Sequence, residues 1–232
     1  AIFCDDTTSA NSTMDAITEI RSITNKQCYL SSMSAVVTDI RQLSEKETPI
    51  YVLIAVILTC IVLSIFMDCW ILPLFFMLSI GMAIVYNMGS NYFLGEISYI
   101  TKALSAVLQL GVTMDYSIFL YHSYQENQQR FPNDKERAMA HAISNTFSSV
   151  LGSSLTTVAG FIALCFMTFT LGKDLGIVMA KGVVFGVLSC VTILPSFIMI
   201  FDKLIRKTTH RTVMPAMEKP ARFITKHFKV FI

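Results

Sequence analysis

Residues 109–124, "QLGVTMDYSIFLYHSY", combine apolar side chains with an aspartate in the middle of the run. They belong to a longer apolar segment, 100–124, which can cross about 30 Å of hydrocarbon, since a spanning helix needs roughly 20 residues. An aspartate near the centre of such a helix costs ~2.5 to 3.5 kcal/mol on insertion scales. Asp115 is therefore predicted to face protein or water rather than lipid.

The rest of the chain is also typical of a membrane protein. Of its 232 residues, 53% are hydrophobic and 15% are charged, and the mean hydropathy is +0.58. The net charge of +2 does not favour a nucleic-acid partner. Five apolar runs predict five spanning helices in an all-α polytopic bundle, at roughly 50–67, 70–88, 100–124, 147–170 and 177–201.

Lysines and arginines predict the orientation of the five spans. Eleven of them lie in the connection 125–146 and in the tail that begins at Lys203, and five lie on the opposite side. The positive-inside rule then places the connection and the tail in the cytoplasm, and residues 1–49 outside. Lys102 and Lys181, near the outer ends of their spans, are expected to extend their ammonium groups to the interface.

Three parts are predicted from this pattern: the end of an extracytoplasmic domain at 1–49, a transmembrane core at 50–202, and a basic cytoplasmic linker at 203–232. In the first, apolar residues from Met33 to Leu43 recur at helical spacing, and Pro49 marks the entry into the membrane. The tail suits either a helix on the inner leaflet or a solvated linker. Whether Cys4 and Cys28 pair is left open, with free thiols favoured.

We expect the chain to be a piece of a longer protein. It begins "AIFCDDTTSA" without a methionine or signal peptide, and its last residues, "KHFKVFI", turn apolar again.

Asp115 and Tyr116 are the strongest candidates for chemistry. Burial disfavours a carboxylate anion, so a membrane-embedded aspartate can take up and release a proton. The Tyr116 hydroxyl can donate to that carboxylate or relay a proton. The alternative is that Asp115 only holds neighbouring helices together by hydrogen bonds.

Small and hydroxyl-bearing residues on three helices could support a relay or simply allow close packing. In the fourth span Ser148, Gly152, Thr156 and Gly160 recur every four residues, beside a second stripe, and the fifth span carries a GxxxG pair. The residues assigned to packing or relay support are Gly111, Ser153, Thr156, Thr157, Gly182 and Gly186.

No sequence motif points to an enzyme or to a bound cofactor. The chain contains no phosphate-binding glycine loop, zinc signature or hydrolase elbow. Asp115 has no second aspartate, Ser/Lys pair or HExxH motif in the spans, as intramembrane hydrolysis would require. We therefore expect neither enzymatic activity nor a cofactor or metal.

The segment "GVTMDYSIFLYHSYQE", with the adjacent aspartate and tyrosine, resembles the fourth transmembrane helix of MMPL transporters, a subgroup of the RND superfamily. "ERAMAHAISNTFSSVLGSSLTTVAGFIAL" and "LGKDLGIVMAKGVVFGVLSCVTILPSF" are similar to the fifth and sixth helices of that family, and the resemblance covers about 33–206. It implies helices two to six of one half of a twelve-helix protein, with a porter-like outer domain before them. It also implies a proton-relay role for Asp115 and Tyr116, opposite a matching pair in the second half of the same polypeptide.

The expected function is export of hydrophobic or amphiphilic compounds such as lipids, driven by the proton motive force across a bacterial plasma membrane. Two alternatives remain: a sterol-sensing-like module that binds lipid and regulates, and an auxiliary proton-driven subunit of protein export. The substrate is not readable from the sequence, and association of identical chains is left open.

Overall fold

The computed structural model describes residues 6–8, 10–24, 30–95 and 97–209, and in them the fold is helical. The α-helices are α1 (Asn11–Ile23), α2 (Met33–Phe66), α3 (Leu72–Ser90), α4 (Tyr99–Arg130), α5 (Lys135–Leu164), α6 (Thr170–Ile200) and α7 (Asp202–Lys207), with a 3₁₀ turn at Asn91–Leu94. Within these residues five helices, α2 to α6, are long and apolar enough to cross a membrane. The predicted all-α polytopic bundle is confirmed.

Several helices extend beyond the apolar runs that predicted them. The Ser32 hydroxyl caps α2 by accepting a hydrogen bond from the Ala35 amide at 3.1 Å, and the helix continues through Pro49 into the span. Asp134 caps α5 in the same way, 2.9 Å from the Arg137 amide, so this helix begins well before the predicted 147. Hydropathy marks the membrane-embedded part of a helix, whereas capping residues mark where the helix begins.

The turn between α5 and α6 was placed wrongly. The fourth span was predicted to run to 170 and the fifth to begin at 177, but α5 ends at Leu164 and α6 begins at Thr170. The intervening residues, including Phe166 and Phe169, are apolar, so hydropathy extends the fourth run past its true end.

Helix α6 forms the centre of the bundle and packs against α3, α4 and α5. Its contact face includes Gly182, Val183, Gly186 and Cys190, all buried. Helix α2 lies at the edge, and Leu63 is the buried residue that the structure describes in its membrane-spanning part. Most of α2 is therefore left for lipid or for protein outside the described chain to cover.

Polar contacts join the connections at one end of the bundle. Gln125 Nε2 of α4 donates to Asp68 Oδ2 at 2.8 Å, and Lys135 of α5 forms an ion pair with Asp202 of α7. The Cys69 thiol contacts the Thr208 hydroxyl at 3.1 Å. These contacts bring the α2–α3 turn, the α4–α5 connection and α7 to the same end, as five alternating spans require.

At the opposite end, α1 packs on the first part of α2 through the Arg21–Asp39 ion pair and a hydrogen bond from Gln42 to Thr18. The segment from Met33 to Leu43 is helical, as its apolar spacing predicted. Its apolar residues Met33, Val36, Ile40 and Leu43 are nevertheless exposed. Cys4, Cys28 and the tail from residue 210 lie outside the described residues.

Candidate functional site

Asp115 and Tyr116 lie at the middle of the 32-residue helix α4. The two neighbours differ in environment: the Asp115 side chain is exposed on the surface of the described bundle, whereas Tyr116 is only 4% exposed. No ion pair to Asp115 forms among the residues that the structure describes. The carboxylate therefore lies at membrane depth without a cation from this part of the chain.

A cavity of about 360 Å³ opens between α4 and α5 at this level, and we call it the α4–α5 cavity. Its polar lining consists of Asp115 and Tyr116 from α4 and of Ser149, Ser153 and Thr157 from α5, and its apolar lining consists of Val112, Phe119 and Val150. A water molecule occupies about 30 Å³ in the liquid, so the cavity has room for several.

The Tyr116 hydroxyl faces this polar lining. It is buried and has no hydrogen-bond partner within 3.5 Å among the described residues, although the hydroxyls of Ser153 and Thr157 are close enough to interact with it. A buried hydroxyl without a partner costs on the order of 1 to 3 kcal/mol. A water molecule or a carboxyl group in the cavity would supply the missing hydrogen bond.

The structure thus brings Ser153 and Thr157 to the same cavity as Asp115 and Tyr116. Thr156 lies on the exposed side of α5, where its hydroxyl donates to the Ser153 carbonyl at 2.7 Å. Gly111 lies one turn before Asp115, and a Cβ atom there would meet nothing within 4 Å. These last two residues do not line the cavity.

Gly182 and Gly186 mark a different contact, where α6 approaches α3 and α4. A Cβ atom at Gly182 would lie 2.7 Å from Asn87 Nδ2, and one at Gly186 would lie 2.6 Å from Thr113 Oγ1. Glycine at both positions lets polar side chains of the neighbouring helices reach the α6 backbone.

A row of buried polar residues on α4 was not predicted from the sequence. Five residues at four-residue spacing are all 0 to 1% exposed, and we call them the α4 polar row: Thr101, Ser105, Gln109, Thr113 and Ser117. Gln109 accepts a hydrogen bond from Asn87 Nδ2 at 2.8 Å and donates to the Gly182 carbonyl at 3.1 Å. Their spacing, which places them on one helix face, was the signal that could have revealed them.

The polar row and Asp115 lie on opposite faces of α4. Asp115 stands two residues from both Thr113 and Ser117, about 200° around a helix with 3.6 residues per turn. One face of α4 therefore fixes the helix to α3 and α6, while the other presents a carboxylate to the α4–α5 cavity. This arrangement can hold a carboxyl group at constant depth beside a cavity that has room for water.

These features define a polytopic membrane protein with an acidic residue at the centre of a spanning helix. A model of the MMPL family matches residues 5–223, and the chain belongs to this family.

Several proteins are similar in sequence to this chain over part of their length. The Streptomyces coelicolor protein ActII-3 is 32% identical over 139 residues, which cover 58% of this chain and 19% of that protein. The Methanocaldococcus jannaschii protein MJ1562 is 36% identical over 97 residues, 41% of this chain and 24% of that protein. The Mycobacterium tuberculosis protein named "Probable transport protein MmpL12" is 24% identical over 183 residues, 75% of this chain and 16% of that protein. The matched region thus spans less than a quarter of each of these relatives.

Proposed function

We propose that this chain is part of a transporter that uses the proton motive force to export hydrophobic or amphiphilic compounds such as lipids. The proposal rests on Asp115, whose carboxylate forms no ion pair within the described residues and lies at the centre of α4 beside a polar cavity. A proton that crosses the membrane releases ~2.3 kcal/mol per 100 mV of potential. Protonation and deprotonation of Asp115 would couple that energy to a change in helix packing.

Tyr116 has a defined part in this mechanism. Its buried hydroxyl lacks a partner within the described chain, so it can donate to the Asp115 carboxylate or to water when Asp115 is ionised. The hydroxyl groups of Ser153 and Thr157 extend the polar lining on the α5 side. These groups would stabilise the ionised state of Asp115 and pass its proton along the cavity.

We propose that the second half of the same polypeptide, outside this chain, completes the site. Asp115 is exposed at the surface of the described bundle, and an isolated carboxylate facing lipid is unfavourable. A polar or ionisable partner from outside this chain would remove that cost. The family resemblance implies a matching pair in that half.

The lipid-like substrate class and the bacterial plasma membrane also follow from the family resemblance. A transport role is in keeping with the name of the relative MmpL12, and the names of the family and of this relative do not indicate an enzyme. In the proposed orientation residues 1–49 are outside, and residues 125–146 and the tail are cytoplasmic, because basic residues concentrate there.

The experiment is proton-gradient-dependent efflux of a fluorescent amphiphile from cells that carry the full-length protein, comparing wild type with Asp115→Asn. Asp174→Asn, at the first turns of α6 and away from the cavity, is the matched control. We expect Asp115→Asn to abolish gradient-dependent efflux and the control to keep it. A folded Asp115→Asn variant that exports normally would refute the relay, and lipid binding without any gradient-dependent efflux would favour the sterol-sensing-like alternative.

A further inference from the structure

A second cavity, of about 510 Å³, lies far from Asp115, where α2 enters its apolar part and α4 begins. We call it the α2–α4 groove. Its α4 residues are Lys102, Ala103 and Ala106, so it lies about 14 to 20 Å along α4 from Asp115 at about 1.5 Å per residue. The groove and the α4–α5 cavity share no lining residue.

The groove changes from polar to apolar along its length. Ser44 and Thr48 of α2 and Lys102 of α4 contribute polar groups, whereas Ile84 and Met88 of α3 contribute apolar surface. Pro49 lies at the junction, and the continuously apolar part of α2 follows it. A lipid has the same gradient at the membrane surface, with a polar headgroup above an acyl chain.

The charge in the groove favours an anion. Lys102 is exposed and forms no salt bridge within the described ranges. Glu45 also lines the groove, but Arg41 Nε lies 3.1 Å from its carboxylate and compensates its charge. By contrast Lys181, the other lysine near this end of the spans, donates a hydrogen bond to Asn91 Oδ1. Lys102 therefore has an ammonium group available for a ligand.

We propose that the α2–α4 groove binds an anionic phospholipid. The phosphate group accepts hydrogen bonds from the Lys102 ammonium group and the Ser44 hydroxyl, and one acyl chain packs on Ile84, Met88 and Ala106. The cavity volume lies within the range of about 300 to 1,000 Å³ that small-ligand sites occupy. A basic residue near an anionic membrane surface contributes about 1 kcal/mol, or about a fivefold change in affinity.

Lipid binding in the α2–α4 groove is independent of the proposed transport and can be measured without it. The full-length protein is reconstituted in nanodiscs that contain either phosphatidylglycerol or phosphatidylcholine with a photoreactive group in the acyl chain. After illumination, mass spectrometry locates the lipid adducts. We expect adducts of the anionic probe on the peptides that contain Ile84, Met88 and Ala106, and weaker labelling by the zwitterionic probe.

Three variants make the test specific. Lys102→Ala should reduce labelling of the groove by the anionic probe about fivefold, Lys102→Arg should preserve it, and Lys173→Ala, an exposed lysine at the start of α6, should leave it unchanged. Equal labelling of wild type and Lys102→Ala would overturn the proposal. So would equal labelling by the two probes, or adducts only outside the groove.

Discussion

Gly186 of α6 leaves the space that the Thr113 side chain of α4 occupies: a Cβ atom at Gly186 would lie 2.6 Å from Thr113 Oγ1 and 2.9 Å from its Cγ2. Thr113 is 1% exposed, and its hydroxyl has no hydrogen-bond partner among the described residues. The contact fixes the separation of the two helices behind Asp115. The depth and direction of Asp115 therefore depend on a glycine of another helix.

Gly186→Ala is expected to destabilise the protein by about 1 to 3 kcal/mol, because a branched side chain in a closed contact cannot move away cheaply. Thermal unfolding in detergent measures the effect. Thr113→Ala in the same chain should recover most of the loss, and Gly111→Ala, where a Cβ meets nothing within 4 Å, is the control on α4. Equal effects of Gly186→Ala and Gly111→Ala would contradict the close contact.

Gln109→Leu should destabilise the bundle by about 1 to 3 kcal/mol, since it leaves the amide nitrogen of Asn87 buried without its acceptor. The double variant Asn87→Leu/Gln109→Leu should be more stable than the sum of the two single losses predicts, because both polar groups are then removed. Strictly additive losses in thermal unfolding would show that the two amides do not interact.

The ion pairs of Asp202 are expected to hold α7 against the start of α5. The Asp202 carboxylate is 6% exposed and pairs with both Lys135 and Arg206. Lys135→Ala should cost on the order of 2 kcal/mol, less than a fully buried pair, since the Lys135 side chain is 39% exposed. The matched control is Arg130→Ala, whose side chain is 66% exposed and 3.9 Å from Glu126, and we expect no measurable change there. If both variants unfold at the same temperature as wild type, α7 is not held by this pair.

Tyr116→Phe tests the relay without changing the charge of the site. Loss of one hydrogen bond to a charged group, about 1.5 kcal/mol or more, should slow gradient-driven efflux at least about tenfold. Tyr51→Phe, a tyrosine of α2 that is 61% exposed, provides the control. Unchanged efflux in Tyr116→Phe would remove Tyr116 from the relay and leave Asp115 to act with other groups.

The sequence was sufficient to predict the number of spans, because that number depends on hydropathy. Asp115 stays a predicted site, chosen because a charged group within the membrane is costly. The sequence was not sufficient for the helix ends. Ser32 and Asp134 cap helices that begin outside the apolar runs. The residues after Leu164 form a turn but are apolar, so hydropathy does not distinguish them from the span.

The sequence also did not predict which side chains of different helices contact one another. The small residues of the fourth span look equivalent in sequence, yet Ser153 and Thr157 line the cavity and Thr156 does not. That distinction depends on how α5 is rotated against α4. Likewise, Gln109 could be recognised as part of a buried row by its spacing, but its partners Asn87 and Gly182 come from other helices.

If Asp115 carries the transported proton, as we propose, proton flux is the quantity that reports its role most directly. The full-length protein is reconstituted in liposomes that contain a pH-sensitive dye, a proton gradient is imposed, and internal pH is followed on addition of an amphiphilic substrate. We expect substrate-dependent proton movement in wild type and in Asp174→Asn, and none in a folded Asp115→Asn variant. Substrate-dependent proton movement at the wild-type rate in Asp115→Asn would contradict this role of Asp115.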